Sequence, residues 1–168
     1  MNGEEIVVVK EKKKSKSFIG CLFRVAMFAA TVYGIVTAAK KVMRRLANRL
    51  EEDNEGNEKK RYLNFLNGRD LCFEDEKVSD IEVYAIAGGV VVDLADAEIS
   101  EETMVCVRTF LSGVVVKVPP MVRVEVEDTD VLSGFVNLVP NYEDENLPVI
   151  YLTVQSLLSG VKVEVKAE

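Results

Sequence analysis

Three hydrophobic patterns follow one another along the chain. Residues 18–39 are apolar apart from Arg24, and Phe18, Ile19, Leu22, Val25, Met27, Phe28, Val32, Ile35 and Val36 leave no polar face. A helix over this run is about 33 Å long, close to one bilayer core. An all-round apolar helix is buried or lipid-embedded, not a surface element. The pattern predicts a membrane anchor carried by Phe18, Ile19, Leu22, Phe28, Val32 and Ile35. A central arginine costs about 2.5–3.5 kcal/mol in a span, but Arg24 is near enough to the amino-terminal end to snorkel. Two alternatives stand beside the anchor. A soluble core helix would need a larger body to wrap it on every side. A cleaved signal peptide would have a shorter apolar run, without basic residues directly behind it.

The second pattern is a basic amphipathic extension. Lys40, Lys41, Arg44, Arg45 and Arg49 alternate with Val42, Met43, Leu46 and Leu50, a composition suited to anionic headgroups. The organisation predicted is a basic polar tail over 1–16, a transmembrane helix with this extension over 17–50, a charged linker over 51–60 and a β domain over 61–168.

The third pattern has a period of two. Ile81, Val83 and Ala85 alternate with Glu82 and Tyr84, and Val122, Val124 and Val126 with Arg123, Glu125 and Glu127. Val161, Val163 and Val165 alternate with Lys162, Glu164 and Lys166. This is the signature of half-buried strands. The strands carry a repeat. Ile86-Ala87-Gly88-Gly89-Val90, Phe110-Leu111-Ser112-Gly113-Val114, Val131-Leu132-Ser133-Gly134-Phe135 and Leu157-Leu158-Ser159-Gly160-Val161 share one form, with a weaker copy at Phe65-Leu66-Asn67-Gly68-Arg69. The glycines Gly68, Gly89, Gly113, Gly134 and Gly160 recur every 21 to 26 residues, a spacing typical of stacked repeats. Each unit reads as strand, glycine corner, strand and polar turn. The turns are expected at 93–102, at Pro119-Pro120, at 128–130 and at 140–148. A β-solenoid and a two-sheet sandwich both satisfy the pattern, and the recurring corner favours the solenoid. Gly113 and Gly134 are expected at positive φ or against a neighbouring repeat. In a simple stack the runs 65–73 and 157–165 would be the two open edges, available for self-association.

Charge divides the chain as sharply as hydropathy does. Residues 1–50 hold eleven Lys+Arg and three acids, a sum of +8, whereas residues 51–168 hold ten and twenty-five, a sum of −15. The acidic body repels nucleic acid and anionic lipid, and only the arm has the sign to approach either. Without histidine, Ser-His-Asp and Cys-His catalysis within one chain are excluded. Cys21, Cys72 and Cys106 are odd in number and lack metal spacing. Cys72 and Cys106 lie in apolar runs and are expected to be small buried hydrophobes, which fits a reducing compartment. The acid groups Asp93/Asp96/Glu98, Glu101/Glu102, Asp128/Asp130 and Glu143/Asp144/Glu145 lack calcium-loop order and read as solvated turns. Ser112, Ser133 and Ser159 share one repeat position and read as a stacked corner, not as three nucleophiles. No catalytic residue, cofactor, metal, nucleic acid or small-molecule substrate is predicted.

The stretch Gly88-Gly89-Val90-Val91-Val92-Asp93-Leu94-Ala95-Asp96-Ala97, followed by Leu111-Ser112-Gly113-Val114-Val115-Val116-Lys117-Val118-Pro119 and Val122-Arg123-Val124-Glu125-Val126, resembles the carboxy-terminal domain of bacterial LiaF-like proteins. These are also called cell-wall-active antibiotic response proteins. The resemblance covers most of 80–166. It implies a toastrack-type β-solenoid akin to bactofilins, and membrane-associated scaffolding or envelope-stress regulation without catalysis. Typical members carry several spans before this domain, and this chain has room for one. The expectation is a single-pass protein of the bacterial cell membrane with its β domain in the cytoplasm, acting as a self-associating homo-oligomeric scaffold. The alternative is a regulator that contacts a signalling partner.

Overall fold

The computed structural model describes residues 18–144 and 146–166, with side chains from residue 22 onward. The basic tail expected over 1–16 lies outside the described residues, as do the side chains of Phe18 and Ile19. One helix, α1, runs over Phe18–Glu52. The chain divides into two compact units, the first ending at Ala38 and the second comprising Ala39–Glu168. The boundary falls inside α1, so the basic half of the helix belongs with the strands.

The described residues of the first unit are all helix. Leu22, Phe28, Val32 and Ile35 of the expected anchor are exposed on it, and the helix is long and apolar enough to cross a membrane.

The second unit holds ten strands: β1 (Lys59–Phe65), β2 (Gly68–Cys72), β3 (Lys77–Ile86), β4 (Gly89–Asp93), β5 (Glu98–Phe110), β6 (Gly113–Val118), β7 (Arg123–Val131), β8 (Gly134–Asn137), β9 (Val149–Leu157) and β10 (Gly160–Val165). They form two five-stranded sheets in which every pairing is parallel, ordered β1-β3-β5-β9-β7 and β2-β4-β6-β10-β8. Each consecutive strand pair places one strand in each sheet and makes one tier. The alternation read from the sequence sets the faces. Val83, Val107 and Val154 of one sheet and Val92, Val116 and Val163 of the other join one core and are almost wholly buried.

The tiers are not stacked in chain order. The last pair, β9 and β10, lies between the third and fourth pairs, and β7 with β8 forms the outer edge. This corrects the expectation that 157–165 is an open edge. Burial supplies the reason. Val149, Ile150, Leu152, Val154, Val161 and Val163 of the last pair are buried, whereas β7 buries none of its residues fully and exposes Glu125, Glu127 and Asp128. Placing the apolar pair inside removes more apolar surface from water than placing the acidic pair there. The connection over 138–148 gives the chain room to return.

Two expected turns are also corrected. Only residues 94–97 separate β4 from β5, so most of 93–102 is strand, and 128–130 lies inside β7. Acids on an outward face of a rim strand stay hydrated and do not force a turn. Cys72 is exposed, not buried, because Leu71 and Phe73 on either side point inward.

Candidate functional site

The corners are built differently from expectation. Left-handed backbone occurs at Leu66, Ala87, Leu111, Leu132 and Leu158, with φ of 55°, 51°, 51°, 52° and 51°. Each lies two residues before the repeat glycine. The glycines open the second strand of each tier and stand in register, Gly68 beside Gly89, Gly89 beside Gly113, Gly113 beside Gly160 and Gly160 beside Gly134. A Cβ at Gly113 or Gly134 would meet nothing within 4 Å, and neither has positive φ. The expected strain at these two glycines is therefore absent. The turn is made by a leucine in four tiers and by Ala87 in the second, with Leu111, Leu132 and Leu158 exposed, a conformation costing about 1–2 kcal/mol at a residue other than glycine.

The serines of the corner form a ladder. Ser112, Ser133 and Ser159 each donate Oγ–H to the carbonyl two residues back, at 2.9, 3.0 and 2.8 Å. The same oxygens accept from the adjacent tier: Ser159 Oγ from the Ser112 N–H at 3.2 Å, and Ser133 Oγ from the Ser159 N–H at 3.1 Å. Beside the ladder, a shallow groove of about 800 Å³ runs along the outer face of the second sheet, floored by the glycine row and flanked by Val91, Val115, Val136 and Lys162.

The first edge is covered. Ala39, Met43 and Ala47, four residues apart, and then Leu50 and Glu51, three and four beyond Ala47, are half-buried on the inner face of the helix. Leu63 of β1 is only 7% exposed. Asn54, just past the helix, accepts from the Arg61 N–H at 2.7 Å and donates to the Arg61 carbonyl at 2.9 Å. Glu51 pairs with Arg69, whose guanidinium lies 5.7 Å from the Tyr62 ring centroid. The run 65–73 is thus the terminal tier expected of it, with β2 pairing only with β4, and the helix faces its first residues, Phe65 to Arg69. Between helix and strands a cleft of about 720 Å³ is lined by Lys40, Lys41, Arg44 and Arg45 on one side and Phe65, Asn67 and Gly68 on the other.

A polar network on the outer face of the first sheet escaped the sequence reading. The Glu82 side chain is only 9% exposed and is held by Arg108, by Arg61 at 3.3 Å and by Lys59 at 3.6 Å. Tyr84 donates its hydroxyl to Glu82 at 2.8 Å and accepts from Arg108 at 2.7 Å. Arg108 also donates to Gln155 at 2.9 Å. Burial pushes the Glu82 carboxyl up, but the Tyr84 hydrogen bond and the charges of Lys59 and Arg108 outweigh it, and its pKa lies below the ordinary value. Burial followed by the Glu82 hydrogen bond raises the Tyr84 phenol, and burial raises the Cys106 thiol on the same face. The network joins β1, β3 and β5 by charge pairs and reaches β9 through the Arg108–Gln155 hydrogen bond. Its one signal in the sequence was opposite charge at matching repeat positions, which alternation alone reads as solvent-facing.

Among the described residues no group of three or more Cys, Asp or Glu side chains is placed to hold a metal ion. Asp93 faces Lys117 at 3.6 Å, Asp96 faces Lys166 at 2.5 Å, and Asp144 accepts from the Asn146 backbone and side chain. Comparison with family models, with curated proteins and with solved structures gives no match.

Proposed function

We propose that this protein is a non-enzymatic, membrane-anchored β-solenoid that serves as a scaffold or interaction module at a bacterial cell envelope. The observation that carries the reading is the apolar half of α1, where Phe23, Phe28 and Tyr33 are 68%, 73% and 73% exposed. A helix apolar on every side finds a stable environment in lipid. Support for the solenoid comes from five tiers that each add one parallel strand to both sheets and turn through corners of one backbone geometry. The resemblance of 80–166 to the LiaF-like domain favours the same reading. With its first edge under the helix and its last edge open, such a stack pairs once, giving a closed dimer and not a filament. Lys10, Lys12, Lys13, Lys14 and Lys16 before the span balance Lys40, Lys41, Arg44, Arg45 and Arg49 after it. The cytoplasmic side for the β domain therefore rests on its free cysteines and the basic extension together, and protease protection in spheroplasts tests that side. The anchor itself is tested by washing membranes of a bacterial host making the full chain with alkaline carbonate. The chain is expected in the pellet, and its full release would overturn the reading.

A further inference from the structure

The corner of the stack forms an exposed apolar ridge. Phe110, Leu157 and Val131 lie side by side in register, and Leu111, Leu158 and Leu132 follow them at the left-handed positions. All six are exposed, Leu132 by 82%. With strands about 4.8 Å apart, the five corners extend over about 19 Å. The corner segments 65–70, 86–91, 110–115, 131–136 and 157–162 contain only three charged residues, Arg69, Asp70 and Lys162. The other end of the tiers carries Glu74, Asp75, Glu76, Asp96, Glu98, Glu143 and Asp144, with Lys77, Lys117 and Lys166 among them. The second unit is therefore polarised, with aliphatic corners at one end and carboxylates at the other.

The cations of α1 stand at the aliphatic end. Lys40, Lys41 and Arg44 share a cleft with Phe65, Asn67 and Gly68 of the first corner, whereas Asn54 meets Arg61 further along β1. Lys40 also follows the apolar run directly in the chain, so a span over that run puts Lys40 and Lys41 at the headgroups.

We propose that the corner ridge docks on the anionic lipid surface next to the span, with Phe110, Leu111, Val131, Leu132, Leu157 and Leu158 at the acyl boundary and Lys40, Lys41, Arg44 and Arg45 on lipid phosphates. The proposal rests on the reading of α1 as an anchor. Exposed aliphatics flanked by cations, with Asp70 the one carboxylate of the corner segments, have the composition of interfacial binding surfaces. A second copy is the weaker occupant, because its own aliphatic end offers a single carboxylate, Asp70, to Lys40, Lys41, Arg44 and Arg45, whereas an anionic leaflet offers many phosphates. The acidic turns at the far end are then kept away from the anionic leaflet, which removes the repulsion expected from the body's net charge.

The test uses the full chain with Cys21, Cys72 and Cys106 replaced by serine and a single fluorescent reporter on Leu132→Cys, Phe28→Cys or Asp96→Cys. Each variant is placed in nanodiscs containing anionic lipid and a quencher on the upper acyl chain. The reporters at 132 and 28 are expected to lose most of their fluorescence, and the one at 96 to keep it. Quenching at 28 but not at 132 would overturn the docking and leave the anchor standing. No quenching at 28 would remove the anchor and the docking with it. Disulfide-linked dimers of the unlabelled Leu132→Cys chain, without quenching of the labelled one, would assign the ridge to a second copy. Leu158→Cys repeats the measurement at an independent site, and circular dichroism verifies that each variant is folded.

Discussion

The two edges of the five-tier stack are protected by different means. Over β1 lies the basic half of α1, with Leu63 buried beneath it and Asn54 bonded to the Arg61 backbone. Along β7 no helix lies, and the strand instead exposes Glu125, Glu127 and Asp128. Its side-chain ties to the interior include the bond from Ser156 to Asp130. A covering helix closes an edge whatever the solvent. Charges leave the backbone groups to water and only discourage a partner. The first edge is therefore closed by packing, and the second is guarded by charge, which salt screens.

The largest effect comes from removing the pair behind the open edge. A chain ending at Pro148 lacks β9 and β10, and with them Ile150, Leu152, Val154, Val161 and Val163, all buried to 2% exposure or less. At about 1.5–3 kcal/mol for each buried aliphatic, the loss is on the order of 10 kcal/mol, within the range of a whole domain's stability. Because β7 pairs only with β9 and β8 only with β10, residues 123–137 are expected to lose their hydrogen-exchange protection together. If 123–137 kept that protection in the truncated chain, the tiers would be able to stack in chain order and the edge would be misplaced.

That order was not legible in the sequence. Val124 and Val126 alternate with polar residues as regularly as Ile150, Leu152 and Val154 do, and alternation gives a strand its face without giving it a rank in the stack. Rank depends on how much each tier buries, which is a comparison between strands. The helical cover was hidden for a related reason. Met43, Ala47 and Leu50 present a narrow apolar stripe among cations, and lipid and a strand edge satisfy such a stripe equally. The apolar run over 18–39 and the glycine register were legible because each is a repeat of strong local character. The left-handed leucines were not, since glycine draws the eye at a corner and a leucine at φ near 51° has no signature of its own.

The closed edge also differs at its corner. A Cβ on Gly88 would come within 2.1 Å of the Asn67 carbonyl oxygen, a backbone atom of the first tier that also receives the Asn64 amide at 2.8 Å. Gly88→Ala forces that corner to move and is expected to cost about 1–3 kcal/mol. Gly113→Ala enters open space at ordinary φ, and its melting temperature should match or slightly exceed that of the parent chain. Equal losses in the two variants would show that the corners are alike after all.

Glu82 fastens the closed edge to the interior, since Lys59 and Arg61 come from β1 and Arg108 from β5. Glu82→Gln is expected to cost about 1–2 kcal/mol, less than for a fully buried pair because all three cations are partly solvated. The pKa of Glu82 is lowered on folding from its ordinary 4.5. Its contribution is thus fully present above that value and is lost as pH falls through the lower folded value. Melts of the parent chain should decline on acidification below 4.5 more steeply than those of the variant. Parallel declines would mean that other carboxylates dominate the acid limb.

The smallest effect on stability belongs to the open edge, and it bears most directly on the difference between the two. Glu125 and Glu127 point outward from β7 and bury little, so replacing both with threonine, a good strand former, should change the melt by no more than about 0.5 kcal/mol. The effect sought is on association. Two copies meeting at β7 bring together the carboxylates of Glu127 and Asp128, with Glu125 partly offset by Arg123 at 2.8 Å, and this repulsion fades as the Debye length falls from about 10 Å at 0.1 M salt to about 3 Å at 1 M. The parent chain in detergent is expected to shift toward a dimer as salt rises. The doubly substituted chain should reach that dimer at low salt and respond little to further addition. A third substitution, Leu63→Thr beneath the helix, should leave this salt response unchanged, because α1 and not charge closes that edge. If the parent and the Glu125/Glu127 variant remain monomeric at every salt concentration, charge is not what keeps β7 free, and the contrast between a covered edge and a charged one loses its physical basis.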